Sequence, residues 1–435
     1  MILQNGHRWK VEKSKDLVMT SFAGLPLLTE LAHHSGLVAA LDKLPGLWKR
    51  QGTYTSSDYI LGLALTLATG GEGLDDTRVL AGDKGLSQIA LPSMPAANSF
   101  GEFLRRFTKR TIQHLGDIIS RQGISGLKAG QTITLDIDSS VIESDKKDAK
   151  RTYKGVDGYN PVLAWVDELD MFFGGVFREG NASPQSHIAS LLRYCQRRLP
   201  AGVKVRFRSD SAGYQIKVMK TCRRYGYEFA IRADRDAAVR AAIERIPDQA
   251  WQLVVRGNDN FLLAETVHAP GTLGTRAGAS LPAYRLVVIR RTGQLDLFRE
   301  PIEYYPIITD LPISMSAEQV VDFYNGRGRM EKAIGEAKNG FALHWLPCGE
   351  FLANAAYFQI ALLAYNLGRT FKRVALPESW QNLSIKSLRF RLLCHAGVIV
   401  RHARRLILRL SDAFPFYDIF EQARWAVMSP QVIAT

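Results

Sequence analysis

Thr132, Ile133, Thr134, Leu135, Asp136, Ile137 and Asp138 alternate polar and apolar side chains without a break. Successive side chains of a strand point to opposite faces, so the three apolar residues share one face and both threonines and both aspartates the other. A helix cannot gather that pattern on one side. The segment therefore demands a sheet with at least one covered face and an acid at the strand end. What precedes it has a different period. Residues up to about 130 read mainly as helices: 59–68 is strongly apolar, and Phe100, Phe103, Leu104 and Phe107 recur at helical spacing. Ser99 and Glu102, at the head of that run, have the spacing of a capping box.

Downstream, 161–166 and 171–177 are expected as strands around a turn at Glu168 and Leu169. Then come a helix over 184–199, an alternating strand over 203–207 ending at Ser209 and Asp210, a helix over 218–225 and a strand over 228–232. Three strands, helix, strand, helix, strand is the order of a ribonuclease H-like core, although many α/β folds share parts of it. The stretch 253–310 is rich in Val, Tyr, Phe, Leu and Thr with Gly and Pro breaks, and reads as a mostly β insertion. Helix returns over 316–341 and is expected nearly to the end. A chain of 435 residues exceeds one ordinary core. The expected organisation is α/β: a helical N-terminal region (1–130), the first part of the core (131–246), a β-rich insertion (247–315), a helix completing the core (316–345) and a helical, basic C-terminal region (346–435).

The formal net charge is +14, which favours a polyanionic partner, nucleic acid being the commonest. The charge is uneven: Arg369, Lys372, Arg373, Lys386, Arg389, Arg391, Arg401, Arg404, Arg405 and Arg409 face a single acid, Glu378, over 369–409. Arg105, Arg106, Lys109 and Arg110 decorate the helix after Pro92 and Pro95, which reads either as a DNA recognition helix or as an ordinary solvated face. Cys195, Cys222, Cys348 and Cys394 lack the spacing of a zinc or redox site and read as isolated reduced thiols. Lys10, Glu12, Lys13, Lys15 and Asp16 interrupt any leader-like apolar run, so a cytoplasmic, nucleoid-associated location is expected. The uncharged stretch 351–367 carries Asn354, Gln359 and Asn366 and reads as a buried helix rather than a membrane span.

Tyr324, Arg327, Glu331 and Lys338 are spaced by three, four and seven residues, which on a helix makes a stripe about 60° wide. Gly326, Gly328 and Gly335 sit in the same helix, each at a cost of about 1 kcal/mol relative to Ala, as if something approached its backbone closely. Asp138 and Asp210 close two strands, and the C-terminal edge of a sheet is where α/β folds place sites. A lone Asp there is more often a turn or helix cap. Two of them with a helical Glu make an all-oxygen anionic set, which suits Mg²⁺ or Mn²⁺.

The motifs Leu135-Asp136-Ile137-Asp138-Ser139-Ser140, Arg208-Ser209-Asp210-Ser211-Ala212-Gly213-Tyr214 and the Tyr324, Arg327, Glu331, Lys338 spacing resemble bacterial insertion-sequence transposases with a DDE triad, most closely the insertion-sequence 1380 family. The last motif is similar to that family's Tyr-Arg-Glu-Lys signature at full spacing. The resemblance covers about 99–341. It implies a ribonuclease H-like fold, metal-dependent cleavage of double-stranded DNA at element ends, strand transfer into target DNA, and a homodimer in the synaptic complex. Asp138, Asp210 and Glu331 would hold two Mg²⁺ or Mn²⁺ ions, with Asp136 the alternative to Asp138, because the family's usual Gly-Gln continuation is absent after Ser140. Tyr324, Arg327 and Lys338 would hold phosphates, and Trp251 would be the candidate for stacking a flipped base, core packing being its other reading. Arg105, Arg106, Lys109, Arg401, Arg404 and Arg405 complete the candidate DNA contacts. Competing readings are a nuclease without strand transfer and an inactive DNA-binding derivative. The intact acidic triad argues against the latter, and inverted repeats flanking the coding region would favour the transposase.

Overall fold

The computed structural model describes residues 13, 16–48, 52–257, 259–271, 282–292 and 302–429. A short strand β1 (Val18–Thr20) leads into helices α1 (Leu25–His34), α2 (Leu37–Asp42), α3 (Ser56–Thr69), α4 (Thr77–Ala81), α5 (Lys84–Ile89), α6 (Ala97–Arg105) and α7 (Lys109–Gly123). The chain continues through β2 (Thr132–Ser139), a small antiparallel group β3 (Ile142–Glu143), β4 (Lys150–Arg151) and β5 (Asp157–Tyr159), then β6 (Val162–Val166), β7 (Met171–Val176), α8 (Ile188–Gln196), β8 (Lys204–Ser209), α9 (Ile216–Tyr225), β9 (Glu228–Arg232) and α10 (Ala237–Glu244). Four strands follow: β10 (Gln252–Arg256), β11 (Asp259–His268), β12 (Tyr284–Thr292) and β13 (Ile302–Thr309). The last part holds α11 (Ala317–Asn325), α12 (Gly328–Gly340), α13 (Phe351–Ala375), α14 (Glu378–Gln381), α15 (Ile385–Leu388), β14 (Gly397–His402), β15 (Arg405–Arg409) and α16 (Tyr417–Val427).

Among the described residues nine strands form one mixed sheet in the order β10-β11-β12-β13-β9-β8-β2-β6-β7. β2, β8 and β9 run parallel; the remaining pairs are antiparallel. The strands β10–β13 thus extend the sheet that holds β2. Helices cover both faces. Ile133, Leu135 and Ile137 pack with Leu192, Val218 and Met219 from α8 and α9. Leu163, Trp165 and Phe172 point the other way, toward α13 and the N-terminal helices. The polar side of β2 is therefore buried as well, and Asp136 is wholly inaccessible.

Capping boxes lie at α3, where Thr55 accepts from the Asp58 amide and Asp58 accepts from the Thr55 amide, and at α11, where Ser316 and Gln319 do the same. At α6 the expectation fails: the helix begins earlier, after Ala96, and Ser99 Oγ donates to the Ala96 carbonyl. The helix expected over 316–341 is divided at Gly326 and Arg327 into α11 and α12. The uncharged stretch belongs to α13, buried along nearly its whole length. Its amides explain themselves: Asn366 bonds both the N–H and the carbonyl of Phe172 on the edge strand β7, Gln359 donates to the Gly175 carbonyl, and Asn354 bonds both backbone groups of Cys348. A buried backbone group without a partner costs roughly 1–3 kcal/mol, so Asn366 and Gln359 stand in for a missing strand beside β7 and Asn354 satisfies a loop. No helix of the described residues is long and apolar enough to cross a membrane. All four cysteines are free, and three are buried.

The C-terminal region departs from the helical expectation. β14 and β15 form a hairpin that pairs with β1 in a second sheet. The basic segment also divides. Arg369 pairs with Asp170, Lys372 donates to the Leu383 carbonyl at 2.7 Å and Arg373 to the Ser125 carbonyl at 3.1 Å. Arg389 donates to Ala68 and Leu67 at the end of α3 and to Gly340 at the end of α12. These four cations satisfy orphan carbonyls or a half-buried acid and hold the fold together.

Candidate active site

Three parallel strands end side by side. The register sets Ile137 opposite Ser209 and Ser209 opposite Ile231, so Asp138, Asp210 and Arg232 are neighbours along one edge. Asp210 caps the turn at Ser211–Gly213 with its Oδ1 on the Ala212 amide at 3.1 Å, and its Oδ2 takes no hydrogen bond among the described residues. The capping role and a free oxygen coexist in one carboxylate.

Over this edge lies the junction of α11 and α12, and a buried ion pair fixes it there. Arg208, 3% exposed, donates from Nε and Nη2 to the two oxygens of Asp136 at 2.7 Å each, from Nη2 to Asp167 at 3.0 Å, and from Nη1 to the Phe323 carbonyl at 2.7 Å. Burial alone would lower the Arg208 pKa, but Asp136 and Asp167 hold it above its ordinary value. A Cβ at Gly326 would stand 2.2 Å from Arg208 Nη1, so this glycine answers to a close approach, whereas Gly328 and Gly335 face open space.

The Tyr324, Arg327, Glu331, Lys338 stripe turns toward the carboxyl edge. Arg327 Nη2 donates to Asp138 Oδ2 at 2.5 Å, and its Nη1 lies 3.5 Å from Glu331 Oε1. Lys338 Nζ donates to the Val141 carbonyl at 2.6 Å, tying α12 to the segment after β2. Burial pushes the Asp138 carboxyl up to about 6; Arg327 opposes that rise while Asp210 and Glu331 add to it. Burial works against the charge of Arg327, yet Asp138, Tyr324, Asp210 and Glu331 together raise its pKa. One guanidinium is thus placed among three acids that share an electrostatic field. Its Nε is buried without a partner.

Among the described residues no three His, Cys, Asp or Glu side chains are assembled as a metal cage. The donor set nevertheless fits a hard divalent cation. Asp138, Asp210 and Glu331 offer only carboxylate oxygen, and burial leaves Asp138 short of positive charge.

Arg232, Arg291 and Tyr305 join Tyr324, Arg327 and Glu331 around a cleft of about 440 Å³. Sequence reasoning missed these three. Arg232 had a usable signal, since it ends a strand as Asp210 follows one. Arg291 and Tyr305 reach the cleft through the β12–β13 pairing, which no local pattern encodes. Tyr153 was also missed: burial raises its pKa, and Asp138 and Asp210 raise it further, so its hydroxyl feels the same acids. The structure does not bring the other expected contacts to this edge. Trp251 packs against Tyr304 and under Arg290. Arg105 pairs with Glu350 on the surface, Arg106 lies over the Trp48 ring, and Lys109 opens α7. Arg401, Arg404 and Arg405 lie on the β14–β15 hairpin.

Carboxylates and guanidinium groups thus alternate along this sheet edge. The model of the family described as Transposase DDE domain group 1 matches residues 10–429, and the chain belongs to that family. It is therefore a DDE transposase by family, of a kind that acts on DNA and generally uses divalent metal ions. No curated protein matches it. A cryo-EM structure of a piggyBac transposase synaptic complex with hairpin DNA is similar at TM-score 0.44 and 12% identity, over 85% of this chain and 79% of that one.

Proposed function

We propose that the chain cuts double-stranded DNA at the ends of an insertion sequence and transfers the freed 3′ ends into target DNA. The observation that carries this reading is the convergence of Asp138, Asp210 and Glu331 around Arg327 in a member of a DDE family. The parallel β2, β8 and β9 with their antiparallel neighbours β6 and β7 support a ribonuclease H-like core, with β10–β13 inserted before the helix that brings Glu331. The Tyr324, Arg327, Glu331, Lys338 stripe supports kinship with the insertion-sequence 1380 family.

When bound, two Mg²⁺ or Mn²⁺ ions would activate the attacking oxygen and steady the leaving one. Asp138, Asp210 and Glu331 are the residues to hold them. Asp136 is assigned to the fold, because Arg208 occupies both of its oxygens. Arg327, released from the carboxylates, has a fork matched to a phosphate, and Tyr324 shapes the cleft beside it. Lys338 supplies a point charge near Val141. Residues 1–130, with Arg105, Arg106 and Lys109, are assigned to the element ends, and the complex is assigned as a homodimer. Trp251 already has Tyr304 and Arg290 against its ring, which favours packing.

The test pairs a gel shift with a cleavage assay on Glu331→Gln and Arg327→Ala. The Gln variant keeps size and loses a charge, so it binds element ends at least as well as the parent while cleavage falls by several orders of magnitude. The Ala variant loses both activities. Cleavage by the parent requires Mg²⁺ or Mn²⁺ and is weak with Ca²⁺. Normal cleavage by Glu331→Gln, or undiminished cleavage in chelator, would remove the triad.

A further inference from the structure

The β14–β15 hairpin ends in a two-residue turn, Ala403 and Arg404, between the paired residues His402 and Arg405. Both turn residues have left-handed backbone, with φ of 47° and 64°. That is the pattern of a turn that favours Asn-Gly, because side chains with a Cβ are strained there. Strain of this kind is kept where the side chain it presents is used. Arg401 and Leu406 lie on one face of the hairpin, His402 and Arg405 on the other, and all four are exposed. Leu406 still lines a cleft with Pro26, Leu27 and Glu30, so the His402–Arg405 pair and the turn are what project beyond the body. Arg401, Arg404, Arg405 and Arg409 have no hydrogen bond or ion pair within the described residues, unlike Arg369, Arg373 and Arg389 of the same basic segment. No acid lies between Gly397 and Ser411.

We infer that this turn is a DNA-contacting wing: Arg404 enters the minor groove of an A·T-rich duplex, and Arg401 and Arg405 hold phosphates on either side. The inference rests on the reading of the chain as a DNA transposase. Lengths select the groove. From Leu406 to the turn at Arg404 is two residue steps, about 7 Å at about 3.4 Å per residue, too short to lie along a major groove and read several bases. The minor groove is about 7.5 Å deep and about 6 Å wide, so the tip reaches its floor. A narrow A·T-rich minor groove concentrates negative potential, and a guanidinium gives up its hydration more readily than an ammonium.

The test uses the full chain in chelator, binding two duplexes of equal length at one salt concentration, one with an A-tract and one G·C-rich. The parent prefers the A-tract by roughly fivefold or more, the size of one groove contact, and a minor-groove ligand displaces it. Arg404→Gly abolishes the preference and weakens G·C binding by no more than the loss of one charge does, with no loss of thermal midpoint, because glycine is at ease at this φ. Arg404→Lys keeps the charge and loses part of the preference. Arg401→Ala and Arg405→Ala weaken both duplexes alike and each lower the log–log salt slope by about 0.9. Equal binding of the two duplexes by the parent, or an A-tract preference surviving in Arg404→Gly, overturns the wing. The wing is read from binding in chelator, without cleavage, so its failure leaves the triad standing, and failure of the triad shows only in the Glu331→Gln assay.

Discussion

Asp136 and Asp138 share one face of β2, two residues apart, yet their surroundings give them different work. Asp136 neutralises Arg208 in the interior, and Asp138 meets Arg327 at the edge. Asp136→Asn leaves a buried guanidinium with only Asp167, which should cost about 3 kcal/mol or more in chemical denaturation. Asp138→Asn removes a charge that burial already resists, so the denaturation midpoint holds or rises while cleavage disappears. Equal destabilisation by the two substitutions would contradict the division. A second buried charge gives a pH signature. Lys372 is 2% exposed, and burial, helped by Arg369, lowers its pKa to about 8 from the ordinary 10.5. Below pH 8 the folded chain bears the full penalty of that charge. Between about 8 and 10.5 the unfolded chain binds more protons, so this group makes stability rise with pH, by up to about 1.4 kcal/mol per unit of displacement. Subtracting the pH 7 to 9.5 change in denaturation midpoint of Lys372→Met from that of the parent should leave a positive remainder.

At the scale of elements, the α11–α12 junction is set by one contact. Gly326→Ala drives a methyl group into a guanidinium already bonded on three sides, and is expected to reduce both stability and cleavage. Gly335→Ala meets nothing within 4 Å and should stabilise α12 by about 0.5–1 kcal/mol. Thermal melts of the two variants should move in opposite directions. The same contrast bears on what the chain's residues disclose on their own. The alternation of 132–138 and the Tyr324 to Lys338 spacing are local periods, so β2 and the placing of Arg327, Glu331 and Lys338 along α12 were legible, whereas the break that leaves Tyr324 on α11 was not. The two-sided burial of β2 was not, because Arg208, its partner for Asp136, lies 72 positions away. The hairpin was misjudged for a nearer reason: the density of arginines hid two short apolar runs, Val398 to Val400 and Leu406 to Leu408, and its Ala-Arg turn carries no glycine or asparagine signal.

At the scale of the molecule, one hydrophobic cluster runs from Leu25 to Val427, joining the N-terminal helices, the β6–β7 side of the sheet, α12, α13 and α16. α13 packs on α3, α6 and α7, and Arg389 bonds the ends of both α3 and α12. A fragment of residues 1–130 therefore lacks its own cover. Expressed alone it should show no cooperative thermal transition, and one should appear when 131–435 is supplied. A sharp transition in the isolated fragment would show that its helices close a core unaided.

The apolar helix α3 ends at Thr69, whereas α13 begins at Phe351, about 280 residues later. At roughly 5–20 residues per second, a ribosome needs roughly 14–56 s to make the intervening chain. During that interval the N-terminal helices have emerged and the surface that closes over them does not yet exist. Slow translation between the two points prolongs the exposure of α3 without altering a single contact of the finished protein, so the yield of soluble chain should depend on how fast its middle is made.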